Sequence, residues 1–119
     1  MVAVERYPSL TSALDRGLEL PPAHGAATGE RATSIGNPQA TVMSLQVIRE
    51  SGGTAVLCDD DQLTQAAARW GRRGIAAELS SAAGSVGADE LRRRGEVGAD
   101  ETVVALCTAA AANQPETLP

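Results

Sequence analysis

Apolar positions along the chain change their spacing several times, and each change marks a new element. Val2-Ala3-Val4 is short and β-branched at its ends, which reads as an initial strand over Val2 to Glu5. Leu10, Ala13, Leu14 and Leu18 then recur at helical spacing behind Pro8, a residue that the first turn of a helix tolerates, and Gly17 frays the far end. Residues 21–38 carry Pro21-Pro22, Gly25, Gly29, Gly36 and the turn pair Asn37-Pro38, so the chain loops here. Val42, Leu45 and Ile48 restore the helical period between Gln39 and Ser51. Gly52-Gly53 ends that helix, because glycine accepts the left-handed backbone required at a helix end.

Thr54 to Cys58 is a near-continuous apolar run, as expected of a strand covered on both faces. Asp59 caps a helix whose Leu63, Ala66, Ala67 and Trp70 form one clean stripe. Gly71 and Gly74 break it, and Ile75-Ala76-Ala77 reads as a very short strand. A helix capped by Ser80 runs to about Arg94, weakened at Gly84 and Gly87 by roughly 1 kcal/mol each relative to alanine. Thr102-Val103-Val104-Ala105-Leu106-Cys107 reads as a second buried strand, followed by an alanine run and a Pro-containing tail. Strands alternating with helices predict an α/β fold: a mostly parallel sheet with helices on both faces and right-handed crossovers. One domain over residues 1–112 and a C-terminal tail over 113–119 account for the chain.

Composition changes this picture in three places. The formal net charge is −5 and no basic face interleaved with aromatics appears, so nucleic acid is not an expected ligand. The longest cationic run, Arg92-Arg93-Arg94, falls near a predicted helix end, where it complements the helix dipole. All ten basic residues are arginine, so the chain has no side-chain amine with which to form an imine. With no signal peptide and no membrane-length apolar segment, the expected location is cytoplasmic.

Other constellations predict little chemistry. Asp59-Asp60-Asp61 suits a helix N-terminus better than a metal or phospho-acceptor site, and Cys58, Cys107 and His24 have no zinc-ligand spacing, so no metal is expected. Cys58 and Cys107 each end a predicted strand and read as inert buried thiols, the other reading being a redox pair. No nucleophile–base pair is present, and no residue is assigned as catalytic.

Five stretches taken in order resemble the C-terminal part of threonine synthase and its fold-type II relatives, the tryptophan synthase β-like pyridoxal-phosphate enzymes. They are Ala32-Thr33-Ser34-Ile35-Gly36-Asn37-Pro38, Ile48 to Val56 with its Ser51-Gly52-Gly53-Thr54 centre, Asp60-Asp61, Gly74 to Ala83, and Thr102 to Thr108. The resemblance covers residues 2 to 108 and implies the C-terminal portion of that family's large domain. It implies a pyridoxal phosphate pocket to which Thr108 contributes the hydroxyl that meets the pyridine nitrogen. Glu78 and Ser81 are placed near the cofactor ring, and Asn37 on the loop leading to substrate.

Read without the resemblance, Thr108 is a strand-end residue that binds backbone, Glu78 is a helix-dipole partner, and Asn37-Pro38 is a turn. Two departures matter. Leu79 stands where the family has proline, and Ala109-Ala110-Ala111-Ala112 replaces its glycine-rich segment, where alanine resists positive backbone torsions. The family's Schiff-base lysine and phosphate cradle lie in its earlier two-thirds and have no counterpart here.

The resemblance therefore implies a chain that is not catalytic alone. It is expected to be the small subunit of a split enzyme for elimination or replacement at the β or γ carbon of an amino acid, binding pyridoxal phosphate only with a lysine-bearing partner. The alternative is a non-catalytic, homodimeric binding or regulatory module.

Overall fold

Val2–Glu5 (β1) and Thr54–Leu57 (β2) pair in parallel, with Val2 opposite Thr54 and Glu5 opposite Leu57. The computed structural model describes residues 1–25 and 29–113. Four α-helices pack on this pair: Ser9–Asp15 (α1), Val42–Glu50 (α2), Asp60–Gly71 (α3) and Ala83–Arg93 (α4). Single 3-10 turns lie at Thr33–Ile35, Ser80–Ala82 and Ala111–Asn113.

Strand alternation sorts the helices into two layers. Ala3 and Ala55 join Leu10, Ala13 and Leu45 in one core beneath α1 and α2. Val4 joins Leu63, Ala66, Ala82, Ala83 and Val86 in the other, beneath α3 and α4. The expected α/β architecture with helices on both faces is what the chain adopts.

Local chemistry explains the element boundaries. Asp59 accepts from the Gln62 backbone at 2.8 Å and the Gln62 side chain accepts from the Asp59 backbone at 2.9 Å, a reciprocal capping box. Thr41 caps α2 through Ser44. α1 has no side-chain cap of its own at Pro8; instead Glu5, at the end of β1, accepts from the backbones of Leu10 and Thr11 at 2.9 and 2.7 Å. At the other end Arg49 of α2 donates to the Ala13 carbonyl of α1 at 3.4 Å and, just past the helix, to that of Leu18 at 2.8 Å.

Gly87 is not merely a weak helix residue, because a Cβ there would stand 2.6 Å from a methyl of Val4. Its absence lets α4 lie directly on β1.

Two expected strands need correction. Ile75–Ala77 contributes only one antiparallel bridge, between Ala77 and Ala110. Thr102–Cys107 belongs to no ladder, and no backbone group of residues 102–108 bonds to another backbone group among the described residues. Val104 and Leu106 are 81% and 73% exposed. The sheet therefore has two strands, since a β-prone run becomes a strand only beside another free edge, and 102–106 is separated from β1 by a cavity. The expected tail over 113–119 lies, from residue 114, outside the described residues.

Candidate functional site

The short turn between α3 and α4 gathers most of the residues singled out from sequence. Glu78 and Ser81 are almost fully buried there, at 4% and 2% exposure. The Glu78 N–H donates to the Ala109 carbonyl at 3.1 Å, and the Ala109 N–H donates to Ser81 Oγ at 2.7 Å. The alanine run is thus clasped against residues 76–81, helped by an Ala111 N–H bond to the Ala76 carbonyl at 2.8 Å. Among the described residues no non-glycine has a positive φ, so the alanines adopt a path that differs from a glycine-dependent one.

The clasp brings Thr108 to Ser81, their hydroxyl oxygens 3.2 Å apart. Thr108 itself is exposed, because the segment leading to it lies on the surface rather than in a sheet. Thr108, Ser80 and Ser81 line a cavity of about 510 Å³ whose remaining walls come from β1, α4 and residues 102–106. Ser80 Oγ is buried within this wall without a hydrogen-bond partner among the described residues. A buried hydroxyl left unpaired is costly and is absorbed by a ligand, water or partner group.

Glu78 does not serve as a helix cap: the Ser80–Ala82 turn has no side-chain cap, and the carboxylate instead accepts from Ser34 Oγ at 3.2 Å. That bond ties the Ala32–Pro38 loop to the site. Asn37 on the same loop is exposed, and its Oδ1 accepts from the Gln39 backbone at 3.3 Å, a local turn rather than a contact with Glu78, Ser81 or Thr108. The sequence offers Ser34 only as part of a resembling stretch and Ser80 only as a helix cap, a role Ser80 does not fill, since α4 begins at Ala83 with no side-chain cap. Their neighbours Asn37 and Ser81 were singled out, and hydroxyls adjoining a flagged polar residue were the available signal.

The other constellations resolve simply. Asp59 is the cap described above, and Asp60 pairs with Arg6 at 2.8 Å. Cys58 is buried, and desolvation pushes its thiol from 9.0 to about 11 despite the opposing pull of Arg6. Cys107, expected to be buried at a strand end, is exposed, because its segment joins no sheet; both thiols are free. No helix among the described residues is long and apolar enough to cross a membrane.

Comparison with known proteins adds two findings. The model of the pyridoxal-phosphate dependent enzyme family matches residues 1–109. A threonine synthase from Methanosarcina acetivorans is 38% identical over 98 residues, which is 82% of this chain and 24% of that protein. The chain thus spans about a quarter of the relative it matches.

Proposed function

Because this chain belongs to the pyridoxal-phosphate dependent enzyme family, we propose that it is the small subunit of a split threonine-synthase-like enzyme, closing the cofactor pocket of a lysine-bearing partner. Family membership implies pyridoxal phosphate, and when bound it supplies an electron sink for bonds broken on an amino acid. The chain has no lysine, so the attachment point comes from elsewhere. Its own hydroxyls suit the ring end of the group: Ser81 and Thr108 meet at the wall of this cavity, and the buried Ser80 Oγ beside them has no partner among the described residues.

The Ser81–Thr108 pair carries this reading. Ser81 Oγ already accepts the Ala109 N–H. A hydroxyl has one proton and two acceptor sites, so Ser81 is able to donate to Thr108, freeing the Thr108 proton to face a ring nitrogen. A hydroxyl does not enforce protonation of that nitrogen as a carboxylate would. Glu78, held by Ser34, stands as the ring neighbour, and Asn37 as a substrate-side residue on the connected loop.

The partner's seat is the exposed apolar segment 102–106 with the cavity between it and β1. The reaction class on this reading is elimination or replacement at the β or γ carbon of an amino acid.

Absorbance of the chain with pyridoxal phosphate tests this, first alone and then with a lysine-bearing threonine-synthase-like subunit from the same organism. A new band in the violet only in the mixture, with co-elution on size exclusion, is expected. No band and no co-elution overturns it. The clasped alanine run favours a second reading, a homodimeric binding or regulatory module without cofactor, for which sedimentation of the chain alone would give a dimer.

A further inference from the structure

The cationic run at the end of α4 divides in two. Arg93 and Arg94 both donate to Glu90, at 2.8 and 2.7 Å, and these bonds hold the Glu90 carboxyl down from 4.5 to about 2. Arg92 turns elsewhere and makes no ion pair among the described residues, and neither does Arg73, just beyond α3. Both line a cavity of about 370 Å³ between the C-terminal end of α3 and the flank of α4. Arg69 and Asp89, on the same wall, neutralise each other. The cavity therefore carries two uncompensated guanidiniums in a chain whose net charge is −5.

Its remaining lining is apolar and aromatic. Trp70 is half-buried, with its indole N–H donated to Ser85, which fixes the ring. Ile75 and Val103, 47% and 38% exposed, complete an apolar floor.

We propose that this cavity binds a heteroaromatic phosphate monoester, with Arg73 and Arg92 on the phosphate and Trp70, Ile75 and Val103 against the ring. Guanidinium forks match phosphate oxygens in pairs, and an indole face accepts a planar base. Arg73, Arg92 and Trp70 do not line the cavity beside Thr108, although Ala88, Val103 and Ala105 line both, so the two cavities share a wall and differ in their polar groups. Two sources share the required chemistry, a nucleoside monophosphate and pyridoxal phosphate itself, and the experiment separates them.

Trp70 is the sole tryptophan, so its fluorescence reports on this cavity directly. The full chain is titrated with adenosine monophosphate, with pyridoxal phosphate and with adenosine. Saturable quenching by a phosphate probe is expected, weakened about tenfold by Arg73→Gln and again by Arg92→Gln, and unchanged in Arg16→Gln, an exposed arginine outside this cavity. Response to adenosine monophosphate assigns the site to nucleotides. Response to pyridoxal phosphate alone, with the same arginine dependence, assigns it to the cofactor as a second binding place. Both arginines are exposed and unpaired, so the variants are expected to fold, which circular dichroism checks. Absence of saturable quenching, indifference to both arginine substitutions, or equal affinity for adenosine overturns the proposal.

Discussion

β2 and the 102–107 segment are built from nearly the same residues and end in opposite conditions. In Thr54–Leu57 the central Ala55 and Val56 are 4% and 1% exposed, with β1 alongside and helices above and below. In Thr102–Cys107 the comparable Val104 and Leu106 are 81% and 73% exposed, and no ladder forms. Propensity is therefore not what separates them. A strand is a relation between two backbones, and among the described residues β2 has its second one while the 102–107 segment does not.

The cysteines that follow β2 and close the 102–107 segment offer the sharpest way to break this contrast. In the native protein a thiol reagent is expected to modify Cys107 fully and leave Cys58 untouched until unfolding; equal labelling rates would falsify the distinction. The pH dependence has a definite sign. Because the folded Cys58 thiol is raised from 9.0 to about 11, its contribution to stability is complete below pH 9. It is lost as the pH climbs from about 9 to 11, and Cys58→Ala should flatten that limb of a stability–pH profile.

Packing gives the next largest difference. Leu63 is wholly buried, so Leu63→Ala is expected to cost about 2–5 kcal/mol in urea unfolding. Leu106→Ala, in the exposed segment, should stay within about 0.5 kcal/mol for the chain alone. Similar losses at the two sites would mean that the segment packs in solution as β2 does. A smaller effect sharpens the account of the well-packed side. Gly87→Ala should gain about 1 kcal/mol from helix propensity yet destabilise the protein by about 1–3 kcal/mol, because the new methyl meets Val4. A net gain in the same unfolding assay would show that α4 has room to lift.

Much of the packed side was legible before any coordinates. The Leu63-Ala66-Ala67-Trp70 stripe, the Asp59 cap and the strand at Thr54 follow from spacing and capping chemistry, which act within a few residues. What was not legible depends on distant neighbours. Thr102–Cys107 has a strand's composition, but its partner cannot be read from its own residues. The likeness to threonine synthase was readable from its five stretches, whereas the clasp that brings Thr108 to Ser81 joins residues 27 positions apart and needed the fold. Asn37 reads as both a turn and a site residue, and the local bond to Gln39 accounts for the turn. Ser34 and Ser80 carry no distinctive pattern, since one hydroxyl among many becomes notable only when its burial and partner are known.

The way α1 is capped bears on the order in which the molecule assembles. A helix of seven residues is too short to persist alone, and its two ends are closed by Glu5 of β1 and Arg49 of α2 rather than by its own side chains. α1 therefore has no stable existence before the parallel β1–β2 pair and α2 are in place. That pair joins residues about fifty positions apart. This layer is therefore closed by a long-range pairing and not by the growth of a local helical nucleus.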